Sequence, residues 1–328
     1  MMPRETATIH EKPDDGIVQK LMRQGISPKD FADAIGVSES SVKRWVDQGT
    51  LVATRTAGGH RRIPREEAMR WLRENRVQLV RPDRLGLPEN TTTIARGSPI
   101  HVAAERFHQD LVEGRSAEAR GVIAGLFIAG HTAAVIADEV IRPAMSRIGT
   151  LWEHGEEGIY VEHRATDICV HVVKELRGLL PDYDAAQEAM LPELPPVAVG
   201  GASSGDPYLV APMLAAVTLV EVGYRTINLG PETPLRVLEL ASEQLGAGLV
   251  FLSVGVGPSD KFAKELSVFV DRLEARGVFL AIGGRLVEQL GLPPRKNLFI
   301  GRSFGELSAF ARGVAGQVPR PVARVNAD

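Results

Sequence analysis

Between residues 197 and 314, short apolar runs with almost no charge alternate with helical segments, and this constrains the 328-residue chain more than any other feature. Val197 to Gly201, Tyr224 to Asn228, Leu249 to Val254, Val278 to Ile282 and Asn297 to Ile300 have strand length. Pro207 to Val222, Pro234 to Leu245, Pro258 to Ala275 and Ser303 to Val314 carry helical periodicity. Strands of this kind, each feeding a helix, are buried on both faces, which predicts a doubly wound α/β parallel-sheet domain over residues 197–315. Such sheets hold ligands outside the carboxyl ends of their strands. Here those edges are Gly200 to Asp206, Gly230, Gly255 to Gly257 and Gly283-Gly284. No G-x-G-x-x-G run opens the first helix and no G-x-x-x-x-G-K-S/T occurs, so dinucleotide and P-loop sites are excluded.

The other end of the chain is organised differently. Ser27 to Ile35 reads as a helix capped by Ser27, with Asp30 in the capping-box neighbourhood and Phe31, Ala34 and Ile35 on its apolar side. Gly36 breaks it, and a second short helix, capped by Ser38, runs from Glu39 to Asp47. Val42 and Trp45 face inward there, which leaves Ser40, Ser41, Lys43 and Arg44 facing solvent or DNA. Two short helices across a tight turn, the second polar and basic outside, fit a recognition helix for the major groove. Leu51 to Thr54 and His60 to Ile63 can then pair as a hairpin across Ala57, Gly58 and Gly59. Arg55, His60, Arg61 and Arg62 crowd onto it, where guanidinium groups would clamp phosphates. Pro64 ends the strand, and Glu66 to Glu74 makes a closing helix with Met69 and Leu72 over the core. Ile26 to Leu72 resembles the winged helix-turn-helix of the MerR and excisionase group, whose wing motif is close to Thr56 to Ile63 (TAGGHRRI).

Charge supports the same division. Residues 17–85 hold 14 Lys/Arg against 8 Asp/Glu, whereas residues 86–328 hold 22 against 29. A basic module on an acidic body fits a nucleic-acid-binding head on a regulatory body. Arg81 to Pro99, rich in Pro, Gly, Thr and Asn, reads as a linker, and so does Leu179 to Pro196. Helical segments near 100–113, 116–129, 131–154 and 158–178, separated by Gly114, Gly130 and Gly155, imply a four-helix bundle over residues 100–178. Trp152 ends one of its helices, and Glu162-His163 begins the next after a turn. Residues 1–16 and 316–328 read as flexible tails, and residues 17–80 as the head. The expected compartment is the cytoplasm, since Cys169 is the single cysteine and neither a signal peptide nor a membrane-length apolar run occurs. No Ser-His-Asp, Cys-His or paired-carboxylate set is visible, so no catalytic residue is named and the chain reads as a non-enzyme.

These three parts in this order resemble the light-responsive, B12-dependent MerR-type repressors of carotenoid genes, over residues 17 to about 315. That family's cap carries a tryptophan, nine residues, then Glu-His, as do Trp152 and Glu162-His163. The resemblance implies that Trp152 covers the upper face of a corrin and that His163 is an upper ligand to cobalt. The family's lower motif, D-x-H-x-x-G, stands here as Asp206-Pro207-Tyr208-Leu209-Val210-Ala211, with Tyr208 for the histidine and Ala211 for the glycine. A phenol with a pKa near 10 is a poor ligand unless deprotonated. The family's S-x-L element is partial at Ser253-Val254-Gly255, and Gly283-Gly284 is intact where the nucleotide tail would lie. Three readings of this pocket stay open: cobalamin without a lower histidine, another tetrapyrrole with His163 as axial ligand, or no cofactor and protein contacts only. The leading reading is a sequence-specific transcriptional regulator, a repressor, that binds double-stranded DNA as a homodimer or homotetramer and has no membrane partner. A corrinoid methyltransferase-type protein is the enzyme alternative, but it needs a lower histidine or a catalytic partner and has no use for a wing.

Overall fold

Serine side chains open both helices of the N-terminal helix pair. The computed structural model describes residues 25–56, 58–151, 155–182, 194–257 and 259–318. Helix α1 (Pro28–Ile35) starts where Ser27 Oγ accepts from Asp30 N at 3.0 Å, and Gly36 ends it in the left-handed region at φ 72°. Helix α2 (Glu39–Asp47) starts the same way, with Ser38 Oγ accepting from Ser41 N at 3.2 Å. A two-stranded antiparallel hairpin follows, β1 (Thr54–Arg55) with β2 (Arg61–Arg62). It is shorter than the sequence predicts because its inner ends bond elsewhere. Val52 N donates to Glu67 Oε1 at 2.8 Å, and Ile63 exchanges backbone bonds with Ile26. Helix α3 (Arg65–Asn75) closes the head, burying Met69 and Leu72 with Phe31, Leu51 and Ile63. The Trp71 ring packs edge-on to Phe31 and lies 4.8 Å from that of Trp45.

Residues 81–99 are packed rather than free, which corrects their reading as a linker. They form a 3-10 turn (Pro82–Leu85) and helix α4 (Thr91–Ala95), with Leu85, Leu87 and Ile94 buried. Helix α4 lies on α6 (Ser116–Ile128) of the bundle. A Cβ on Gly125 would sit 2.5 Å from Ile94 Cβ, so the glycine permits the close approach. Asn90 Nδ2 donates to Glu118 O at 2.8 Å. Polar composition suggested solvation, but three irregularly spaced apolar residues are enough to dock the segment.

The bundle contains α5 (Ile100–Glu113), α6, a third helical stretch and α9 (Glu156–Arg177). The third stretch is α7 (Ala133–Ile136), a π-turn (Ala137–Ile141) and α8 (Arg142–Ile148). Pro143 has no N–H for the helical ladder, and the backbone widens just ahead of it. Leu179 and Leu180, in the second expected linker, are buried, while residues 183–193 lie outside the described set.

The sheet is five-stranded and wholly parallel, in the order β4 (Arg225–Asn228), β3 (Val197–Ala202), β5 (Leu249–Ser253), β6 (Phe279–Gly283), β7 (Leu298–Ile300). Alternate residues face alternate layers, as a pleated strand requires. Val199, Val250, Leu252 and Leu280 pack under α11 (Leu235–Gln244) and α12 (Asp260–Ala275). Ala198, Leu249, Phe251 and Ala281 pack under α10 (Val210–Glu221) and α13 (Phe304–Val314). Helix α10 is apolar nearly all round because it is covered twice. Ala216 and Leu219 meet the sheet, whereas Leu214, Val217 and Val220 join the core of bundle and head. Its last residue, Glu221, ties the parts together: Arg73 of the head lies 3.4 Å away, and Ala133 N donates to Oε2 at 2.7 Å. The Arg73 guanidinium also stacks 3.8 Å over the Phe127 ring of α6.

Candidate nucleic-acid interface and ligand cradle

The outer face of α2 and the hairpin lie side by side on the head. Ser40, Lys43 and Arg44 are exposed, Ser41 is half-buried, and Arg55 and His60 are exposed on the hairpin. Lys43 pairs with Glu39 at 2.8 Å within the helix. Arg44 and Arg55 enter no ion pair with a described residue, so both present a full charge outward. At the tip, Thr56 N donates to His60 O and Gly59 N to Thr56 O, with Gly59 at φ 77°; Ala57 lies outside the described residues.

Arg61 and Arg62, expected as phosphate clamps, are half-buried rather than exposed. Arg61 turns to α2 and grips Asp47, with Nη2 2.6 Å from Oδ1 and Nη1 3.3 Å from Oδ2. Arg62 is half-buried, and its Nε is enclosed without a hydrogen-bond partner. Strand alternation sends Arg62 to the opposite face from Arg61, while Arg61 shares a face with its cross-strand partner Arg55 and is drawn to Asp47. Asp47 was missed, although an acid four residues after Lys43, on the face that also carries Glu39, is a visible signal.

At the carboxyl edge of the sheet, the crevice between β3 and β5 is where the strand order reverses. Asp206 sits in it, fully buried. Its Oδ1 accepts from Tyr208 N at 3.0 Å and its Oδ2 from Gly255 N at 2.5 Å, so the carboxylate bolts the loop after β3 to the loop after β5. Tyr208 is 51% exposed, and Arg285 lies 5.4 Å over its ring while reaching Gly255 O. Arg285 was also missed, though it stands directly after the Gly283-Gly284 pair. Ser253 ends β5 and its carbonyl accepts from Ser203 N at 3.0 Å. Gly283 O accepts from Val254 N, and Gly284 has φ 127°; a Cβ there would lie 2.2 Å from Val254 O. The glycine pair therefore lets two strand exits close on each other.

Glu162 and His163 lie on α9. Glu162 accepts from Thr166 Oγ1 at 3.0 Å, and the His163 side chain is 75% exposed, 3.5 Å from Glu162. Trp152 lies outside the described residues.

The donor set does not fit a cobalt ion ligated from the sheet side. Asp206 has both oxygens occupied by backbone amides, and the only side chain at the histidine's place is a phenol under a guanidinium. Among the described residues no three His, Cys, Asp or Glu side chains gather as a metal site. The surface is better suited to a broad apolar ligand: Tyr208, Leu209, Leu229 and Val256, at the exits of β3, β4 and β5, are all exposed. No described helix is long and apolar enough to cross a membrane.

Comparison with known proteins gives two family matches. Residues 26–76 match the helix-turn-helix domain family, and residues 103–177, the bundle, match the family described as B12 binding domain. No curated protein matches the chain. Among solved structures it is similar to the monomethylamine corrinoid protein of Methanosarcina barkeri, at 18% identity and TM-score 0.45, over 65% of this chain and 98% of that one. A cobalamin-binding protein of Desulfitobacterium hafniense is similar at 16% identity and TM-score 0.32, over 66% and 98%. The methanol:cobalamin methyltransferase complex of Methanosarcina barkeri is similar at 14% identity and TM-score 0.31, over 70% and 85%. An N-terminal helix-turn-helix domain and a B12-binding domain thus stand in one chain.

Proposed function

We propose that this protein is a sequence-specific DNA-binding repressor of the MerR type, without catalytic activity, whose bundle and sheet form a sensory and oligomerisation module. The observation that carries this reading is the joint outward face of α2 and the hairpin, where Ser40, Lys43, Arg44, Arg55 and His60 stand together on the one basic part of an acidic chain. One short recognition helix reads few base pairs, so the operator is read by two or more heads in a homo-oligomer. The test is titration of duplex DNA at several salt concentrations. Changing Arg44 and Arg55 to alanine removes two phosphate contacts per head. It should flatten the dependence of log affinity on log salt by about two for each bound head and weaken binding across sequences. Unchanged affinity and slope would remove the assignment.

Within the same reading, the module takes a cobalamin through apolar contact at the strand exits, with His163 on the cap side and no protein ligand below. The exposed Tyr208, Leu209, Leu229 and Val256 support it. When bound, such a group supplies visible absorption and a light-labile cobalt–carbon bond; Arg285 and Tyr208 would orient it and Asp206 would hold the loops beneath it. The ligand-free alternative, with this face used for protein contacts, is favoured by the fully satisfied Asp206. Adding hydroxocobalamin, adenosylcobalamin and haem separately to wild type and to His163→Ala, in darkness and light, separates the readings. A spectrum altered by the substitution places the ligand under the cap. A protein that takes up none of the three retires the sensor.

A further inference from the structure

We propose that Arg61 is a positioning residue, locking the hairpin to the recognition helix through Asp47, and that this lock sets sequence discrimination. The inference rests on the DNA-binding reading above. Arg61 projects from β2 and reaches across to the last turn of α2, where one guanidinium meets both oxygens of Asp47 and, through Nη1, the Lys43 carbonyl at 3.3 Å. Its side chain is 23% exposed against 60% for Asp47, so the cation is the enclosed partner.

Asp47 is otherwise hard to explain. An acid in the last turn of a helix opposes the macrodipole, and an acid beside the groove repels phosphate. Both penalties are offset by a fork that grips it from two sides. The hairpin gains as well. Arg55 and Arg61 are direct partners across the strands, a like-charge pairing that disfavours the hairpin. With Arg61 neutralised by Asp47, Arg55 alone faces outward. A lysine could not reproduce this arrangement, because a point charge on a flexible stem lacks the two-pronged geometry. The relative placement of helix and hairpin, and so the register of Arg44 against Arg55 on a duplex, is carried by this contact.

Losing a phosphate contact weakens all sequences alike, whereas a misplaced wing penalises the matched sequence most. The probes are a duplex selected by the full-length protein from a random library and a random duplex of equal length. Arg61→Ala, Arg61→Lys, Asp47→Asn and the double Arg61→Ala/Asp47→Asn are compared with wild type at several salt concentrations. Each single variant should weaken the selected duplex by about tenfold and the random duplex by less than about twofold, at an unchanged salt slope. The double should be no weaker than either single. Asp47 is exposed, so Asp47→Asn tests the pair even if Arg61→Ala fails to fold. Tighter binding by Asp47→Asn would overturn the proposal, since removing an acid near phosphate should strengthen simple attraction. So would a loss shared equally by both duplexes with a salt slope lower by about one for each bound head. A wild-type protein that enriches no duplex overturns the DNA-binding reading and this one with it; enrichment with indifferent variants overturns this one alone.

Discussion

The candidate contacts of the head and the polar groups of the sheet edge point in opposite senses. In the head, one run of residues from Ser38 to Arg62 builds both the frame and the outward face, and the candidate contacts Arg44 and Arg55 bear no internal load. At the sheet edge the loops after β3, β5 and β6 meet from positions some 80 residues apart in sequence, from Asp206 to Arg285. Their polar groups turn inward to hold one another: Asp206 on two amides, Arg285 on Tyr208 and the Gly255 carbonyl. A surface that meets a polyanion keeps its charges exposed and hydrated until binding, whereas an edge that offers apolar area must first satisfy its own backbone. Substitutions in the two regions should therefore fail differently, through affinity in the first and through folding in the second.

The largest stability effect is expected at Asp206→Ala. It removes a buried carboxylate that serves two amides and leaves both N–H groups without a partner in a closed crevice. Charge-assisted bonds of this kind contribute more than neutral ones, and the loss should be about 3 kcal/mol. Denaturant unfolding measures it directly. A variant as stable as wild type would show that the loops hold each other without Asp206, and the contrast with the head would lose its basis.

The same contrast explains what was legible in the sequence. In the head, Ser27, Gly36 and Ser38 are local signals that act on their immediate neighbours: α1 begins and ends, and α2 begins, where those residues place them. The parallel sheet between two helical layers also follows from the apolar runs, since β3 and β5 are buried on both faces; the order of the strands does not. The role of Asp206 was not legible, because Gly255 is 49 residues away and nothing in the local pattern links them. Arg61 was misread for a related reason: its partner Asp47 is 14 residues back on another element, so a basic hairpin looked uniformly available. The packing of residues 81–99 was hidden by composition, and only Gly121 and Gly125 in the facing helix hint at the close approach.

Where the head meets the body, at the far end of α10 from the sheet's carboxyl edge, Glu221→Ala should cost about 2 kcal/mol. It strips the ion-pair partner from Arg73, whose guanidinium pKa burial already lowers, and exposes the Ala133 amide at the start of α7. Hydrogen exchange should quicken at Ala133 and in α3, with protection in α11 and α12 unchanged. If protection changes nowhere, the head is held to the body by apolar packing alone.

The smallest expected effect separates buried ties at the ligand edge from those elsewhere in the sheet. Tyr224 is fully buried beneath α13, and its hydroxyl donates to Ala311 O at 2.9 Å, away from both candidate sites. Tyr224→Phe keeps the ring and removes one neutral hydrogen bond, so unfolding should need about 1 kcal/mol less at neutral pH. Burial also pushes the phenol up to about 12 from an ordinary value of 10. The folded state therefore favours the protonated form, and the unfolded chain releases its proton first as pH rises. The stabilisation is complete below pH 10 and is lost progressively as pH climbs through 12. Across that window wild type should lose stability faster than the phenylalanine variant, and the two unfolding curves should converge and then cross. Parallel curves between pH 9 and 12 would mean that Tyr224 ionises in the folded protein as it does in water, and that this side of the sheet is wetter than its packing implies.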